Sequence, residues 1–349
     1  MIQVVLPKRD DPRLRLAVVI VSLQVLGQTV LGFKVSVAQI LVSIGVCAVV
    51  EMAVSYRRQK ALVWPASAIL TGNSVAFILR APGTRHGDWW SLNGIEFFIA
   101  ASLGGLLSKY LLQSGGRHLY NPSNLGLVGV FLVVGAAGVY PQYLWWGPLG
   151  GPVLLALAVI LAGGAWVLWP LRMIPMVAAF LLTYAGLVGW LAASGGCFAA
   201  AWSPTEICGG DYWVNIVTSP ELLVFVFFMI SDPKTAPQGA RARVLYGAVV
   251  AAVAAILIAV EPSEYGIKVA LLSTLTMVCS VVPVIDRLAA GRVSLERPIS
   301  RPTARAAALA AVAALLIVTV PAGTVALASN PLALASDGNP RLGQKAHQP

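Results

Sequence analysis

The chain has 349 residues, 58% of them apolar and only 11% charged, with a mean hydropathy of +0.81. That balance excludes an ordinary soluble domain and places the chain among integral membrane proteins. The net charge of +10 could suggest nucleic acid, but the basic residues sit between apolar runs, where membrane topology puts them; membrane lipid is the expected partner and nucleic acid is not.

In chain order the apolar runs predict spans at Leu14–Leu31, Val35–Val54, Val63–Leu79, Ile95–Leu112, Leu125–Tyr140, Pro152–Trp169, Ile174–Ala193, Leu222–Ile230, Val244–Val260, Ile267–Ile285 and Ala306–Leu327. The first run has no small-residue cleavage site and leads straight into the second, so it reads as a span and not as a signal peptide. With residues 1–13 cytoplasmic, 18 of the 24 basic residues fall in inner segments; only Lys34, Arg80, Arg85, Lys268, Arg341 and Lys345 fall outside. This asymmetry predicts a multi-pass protein of the cell membrane with a cytoplasmic amino terminus.

Two spans break the pattern. Leu222–Ile230 offers nine uninterrupted apolar residues before Ser231-Asp232-Pro233, against about 20 for one straight crossing. Proline removes a backbone donor and disfavours helix at the residue before it, so this helix is expected to end near Ser231. The third span carries Thr71-Gly72-Asn73-Ser74 at its middle, a comparable interruption. Non-helical backbone at membrane depth is tolerated only where protein or a cavity covers it, and interrupted spans in corresponding halves point to a central site. The expected fold is therefore an all-α polytopic membrane protein. It has two inverted five-helix repeats with broken helices (14–140 and 152–286), joined by a short extracytoplasmic loop (141–151). A basic linker with an extra C-terminal helix (287–328) and a disordered tail (329–349) follow.

Candidate site residues cluster at these breaks. Asp232 reads as a cation ligand or proton relay, or alternatively as a surface turn cap acting with Thr235 and pairing with Lys234 or Arg241. Asn121, Ser123 and Asn124 flank Pro122 at the start of the fifth span, beyond what one helix cap requires. Exposed helix-start N–H groups there would attract an anion such as a phosphate. Thr71 and Asn73 read first as interhelical hydrogen-bonders, with ligand contact as the alternative. Lys109 and Glu51 are expected to snorkel, and Glu96 and Glu221 to be ordinary acids at helix starts. Cys197 and Cys208 share one outer loop and make a plausible disulfide; Cys47 and Cys279 read as small apolar fillers. Three histidines, none inside a span, exclude bis-histidine haem within this chain. Trp89-Trp90 and Trp145-Trp146 read as interfacial anchors.

Four stretches together resemble the RnfD/NqrB family, membrane subunits of Rnf and sodium-translocating NADH:quinone oxidoreductase complexes. They are SAILTGNSVAFIL (67–79), the 104–129 run with GGLLSKYLL and HLYNPSNLGLVG, FMISDPKTAP followed by Tyr246-Gly247, and VPVIDR (282–287). The resemblance implies two inverted five-helix bundles, transmembrane electron transfer, and a flavin (FMN or riboflavin). It also implies an ion-coupling assembly with redox or flavoprotein partner subunits. On that reading Thr71, Asn73, Asn121, Asn124, Ser231, Asp232 and Thr235 are the cofactor-binding candidates. One departure matters: family members with covalent flavin attach it to a threonine between the fifth and sixth spans. Here that loop, PQYLWWGPLGG, holds no serine or threonine, so the family's threonine phosphoester cannot form there and any flavin is expected to be non-covalent. This fits a divergent stand-alone branch such as the enediyne-associated UnbU type. The alternative is a non-redox transporter of a small molecule or ion that uses the broken-helix site.

Overall fold

The computed structural model describes residues 3–7, 11–114, 116–143 and 151–289. The expected eleventh span, the tail and the linker from residue 290 on, along with Trp145 and Trp146, lie outside the described residues; 287–289, expected in the linker, are helical.

Helix α1 (Pro12–Thr29) starts where Asp11 accepts the Arg13 N–H at 2.9 Å and Pro12 takes the first turn. Helix α2 (Val37–Gln59) opens with a capping box: Ser36 Oγ accepts from the Gln39 N–H, and the Gln39 side chain accepts from the Ser36 N–H. Strand β1 (Gln3–Val5) pairs in parallel with β2 (Ala61–Val63) beyond the end of α2. Helix α3 (Ala66–Ile78) runs into β3 (Leu79–Arg80), and α4 (Ile95–Leu111) into a short hairpin, β4 (Gln113–Ser114) with β5 (Arg117–His118). Helix α5 (Pro122–Val134) is followed by β6 (Tyr140–Pro141), which pairs antiparallel with β3.

The second half holds α6 (Gly151–Leu171), α7 (Ile174–Ala193), strands β7 (Cys197–Phe198) and β8 (Ile207–Cys208), and α8 (Gly209–Val217). Helix α9 (Pro220–Val224) continues as a π-turn over Phe225–Met229, and α10 (Ala240–Ile258) and α11 (Glu264–Ala289) complete it. Among the described residues, six helical segments are long and apolar enough to cross a membrane: Val37–Gln59, Val153–Leu171, Ile174–Ala193, Gly209–Met229, Ala240–Ile258 and Glu264–Asp286. The fold is all-α and polytopic, with strands only as two- and three-residue ties. Its packing repeats itself. Within the first five helices α2 meets α3 and α4, and α4 meets α5; in the second half α7 meets α8 and α10, and α10 meets α11. Across the halves α1 packs on α6 and α5 on α11, the corresponding members of each set.

Three spans differ from expectation, each for a local reason. Helix α3 runs unbroken through Thr71-Gly72-Asn73-Ser74, because Gly72 packs directly on the α2 backbone; a Cβ there would meet Ser43 O at 2.3 Å. Its interruption is at the ends: 13 residues rise about 20 Å, short of a roughly 30 Å hydrocarbon core. The fifth span is also a half-helix. It begins three residues early, capped by Asn121, and stops after 13 residues at Gly135, where φ is +70°. The eighth span is longer than nine residues: α8 precedes it, and Ser219-Pro220 starts a fresh helix, Ser219 Oγ accepting the Leu222 N–H at 3.1 Å.

Glycines set the closest crossings. A Cβ on Gly126 would lie 2.0 Å from Ala101 O, and one on Gly247 would lie 2.4 Å from Met176 O, so α5 on α4 and α10 on α7 approach as only small residues allow. Gly126→Leu should therefore destabilise the detergent-solubilised protein by about 1–3 kcal/mol or more and lower its Tm. Gly104→Ala, with open space around its Cβ, should leave Tm within about 1 °C of wild type.

Candidate functional site

Polar side chains gather at the two ends of α11 and along the helix between them. Near its carboxyl-terminal end, the segment before α5 meets the break after the π-turn. Asn121 Nδ2 donates to Met229 O at 3.3 Å, while Asn121 Oδ1 accepts from Ser123 Oγ (3.0 Å) and the Asn124 N–H (3.2 Å). Asn124 Nδ2 donates to Leu272 O and Thr276 Oγ1, both at 2.9 Å, tying the half-helix α5 to α11. Tyr120 OH and Ser280 Oγ lie 2.9 Å apart, and Tyr246 OH lies 3.9 Å from Cys279 Sγ. Ser231 donates to Phe227 O, closing the last π-turn.

Asp232 organises the turn that follows. Its Oδ1 accepts the Lys234 N–H at 2.9 Å, and its carbonyl accepts from the Thr235 and Ala236 N–H groups. The turn-cap role with Thr235 is therefore present, Thr235 Oγ1 also reaching Asp232 O at 3.4 Å. The charge partner differs from expectation: Asp232 Oδ2 faces His118 Nε2 at 3.5 Å, brought there by the β4–β5 hairpin. Beside them Arg117 reaches Asp286 at 3.9 Å, and Asp286 accepts the Gln238 N–H at 2.8 Å.

Of the sequence-derived candidates, Asn121, Asn124, Ser231, Asp232 and Thr235 come together here. Thr71 and Asn73 stay on α3, both buried, and Thr71 Oγ1 donates back to Ser67 O at 3.0 Å. As arranged, the side-chain groups at the α5 and α9 breaks mostly bind protein backbone, and Asn124 Oδ1 is the orphaned buried acceptor among them. That set does not fit a flavin ring and its phosphate, which need several free donors.

The amino-terminal end of α11 carries what the sequence reading passed over. Lys268 Nζ lies 2.8 Å from Glu221 Oε1 and 2.7 Å from Glu264 Oε1, with all three side chains largely buried. Its ammonium also sits 5.0 Å from the centre of the Tyr143 ring. Arg80, 6% exposed, lies over the same ring at 4.5 Å and over Tyr140 at 5.4 Å. Glu221 reads as a simple helix-start acid from sequence, since nothing local shows that Lys268 lands opposite it. The usable signal was that Arg80 and Lys268 were basic residues on the basic-poor side.

Two cavities open beside this cluster. One, about 520 Å³ with its mouth included, is walled by Tyr184, Phe198, Trp202 and Ile216 and floored by Glu221, Glu264 and Lys268. The second, about 410 Å³ on the same basis, runs from Glu221 and Lys268 to Met229 and Leu272. It therefore ends at the residues whose carbonyls accept from Asn121 and Asn124.

Elsewhere, Lys109 and Glu51 pair with each other: Lys109 Nζ bonds Glu51 at 2.8 Å, and Tyr110 OH donates to the same carboxylate. The pairing follows from α2 and α4 packing side by side. Cys197 and Cys208 are joined in a disulfide across β7–β8, while Cys47 and Cys279 are buried thiols. In comparisons with known proteins, no protein-family model and no curated relative matches the chain.

Alkylation should read the four cysteines in steps. We expect none modified in the native protein, two after denaturation alone and four after denaturation with reduction, as counted by intact mass. Lys268→Met, which leaves two buried carboxylates without their cation, should cost about 3–5 kcal/mol. Most of this loss should return in Lys268→Met/Glu221→Gln/Glu264→Gln, compared by thermal unfolding. Burial raises the Glu261 carboxyl above its ordinary range in the α10–α11 loop. A raised carboxyl penalises the folded state only when ionised, so Glu261→Gln should raise Tm at pH 8 and have no effect below about pH 4.

Proposed function

We propose that this chain is the ion-handling membrane subunit of a redox-linked assembly of the RnfD/NqrB type. It sits in the cell membrane with its amino terminus cytoplasmic, and flavin-bearing partner subunits carry the electrons. The observation that carries this reading is the meeting of shortened or broken helices on one polar line along α11. Starting at Glu221, Glu264 and Lys268, the line passes Met229 and Leu272, then Asn121, Asn124 and Thr276, and ends at Asp232 and His118. Ionisable groups among apolar helices are costly and mark ion or proton pathways by default. The chain's own share is to supply carbonyl, amide and carboxylate oxygens at the helix breaks. These replace part of the hydration of a small cation, or relay a proton between the two charged ends.

A second reading, a transporter without redox coupling, is favoured by one observation. The loop that would carry covalent flavin has no serine or threonine, and the broken-helix line needs no electron carrier to work.

The deciding measurements are the absorbance of the detergent-purified chain with and without its co-expressed partners, and cation or proton flux in proteoliposomes. The proposal expects flavin absorbance only with partners, and a flux that Asp232→Asn and Asn121→Ala each largely remove. Flux that persists in both variants would sink the ion line. Full flux with no flavin-bearing partner would leave the transporter reading.

A further inference from the structure

The cavity between α3, β6, the α9 π-turn and α11 is distinct in character from the ion line beside it. Its walls are Ile78, Val224, Phe225, Met229, Leu271 and Leu272, an almost wholly apolar lining. Into this lining comes one polar side chain that the fold leaves unsatisfied. Gln142, 2% exposed, has a buried amide nitrogen with no hydrogen-bond partner. Its own backbone fixes its place: the Gln142 N–H donates to Ile78 O at 2.6 Å, continuing the β3–β6 ladder. Buried donors are rarely left orphaned, and each instance calls for a missing acceptor.

The charges at the rim define what that acceptor belongs to. Glu221 and Lys268, together with Leu271, line both cavities and so form the partition between the open cleft and this deeper chamber. Lys268 already bridges Glu221 and Glu264. A charged guest would have to break that pairing and enter an apolar chamber, a large desolvation penalty. An uncharged guest pays none of it.

We infer that this chamber is a binding site for a neutral, largely apolar molecule bearing an acceptor oxygen, which Gln142 Nε2 holds by a hydrogen bond, with the Glu221–Lys268 pair as the partition to the outer cleft. The site goes beyond the ion-handling reading and does not depend on it.

Benzophenone, a neutral aromatic ketone that crosslinks on irradiation, is a direct probe of the full chain in lipid nanodiscs. Peptide mapping should place its adduct on Met229 or its cavity neighbours. The competitors 9-fluorenone and fluorene share a framework and differ in one carbonyl oxygen. Fluorenone should suppress that adduct at about two- to tenfold lower concentration, the worth of one hydrogen bond. Gln142→Leu should erase the difference between the competitors while fluorene still competes, and Val224→Trp, which fills the chamber, should remove the adduct. Equal competition by the two compounds in the wild type would overturn the inference, even if Gln142→Leu failed to fold. Adducts confined to exposed apolar positions such as Val133, Leu182 and Ile256 would overturn it too. Neither flux nor flavin absorbance enters these readouts, so the ion-handling proposal can fail while this site stands, or the reverse.

Discussion

A helix that stops inside an apolar environment leaves backbone donors and acceptors that water cannot reach, and the rest of this structure follows from how they are satisfied. Three segments stop in this way: α3, α5 and the α9 π-turn. At the end of α3 the chain goes extended and pairs with β6, so the two half-helices of the first set are tied by a short antiparallel ladder. At the start of α5 the Asn121 side chain does two jobs, capping its own helix and donating to the carbonyl of Met229. After the π-turn, Ser231 closes onto Phe227 O and Asp232 gathers the N–H groups of the next turn. Each break is thus sealed by a neighbouring break or by itself, which is why the polar groups end up together.

The π-turn itself belongs to this accounting. Widening the helix over Phe225–Met229 shifts its hydrogen bonds by one residue, as in Ile230 N to Phe225 O at 3.0 Å. Such a bulge leaves carbonyls turned away from regular helix partners, and π-segments recur at functional positions. Met229, at its end, offers its carbonyl to α5 and its side chain to the deeper cavity. One residue therefore joins the polar line to the apolar chamber.

The membrane class, the succession of apolar helices and the helix ends at the Asn-Pro and Ser-Asp-Pro elements were legible because each rests on local composition or on proline chemistry. Residue Ile174–Ala193 was read to its ends, having Pro175 at one and Ser194-Gly195 at the other. What the sequence hid was of two kinds. Helix length was hidden where polar residues begin a span: α5 starts at Pro122, inside the polar run after Asn121, and Ser219 looks like loop until its side chain is seen capping α9. Charge partners were hidden because they are far apart in sequence: Glu51 meets Lys109, Glu221 meets Lys268 and Asp232 meets His118 only through tertiary packing. Periodicity and loop charge carry no information about such pairs.

The cluster at the amino-terminal end of α11 shows how that packing makes buried charge tolerable. Glu221 sits in the first turn of α9 and Glu264 in the first turn of α11, so each carboxylate faces the positive end of a helix as well as Lys268. Two acids sharing one ammonium would leave an excess negative charge, which Arg80 offsets nearby from the end of α3, its own charge spread over two tyrosine rings. The four charges come from α3's end, α9 and α11, the elements that bound the deeper chamber. Any movement that opened the partition would separate ions in an apolar setting, where breaking one contact costs far more than it would in water. The contacts along this partition are therefore ones whose loss would leave a buried charge without its partner, which is what fixes Glu221, Glu264 and Lys268 in place.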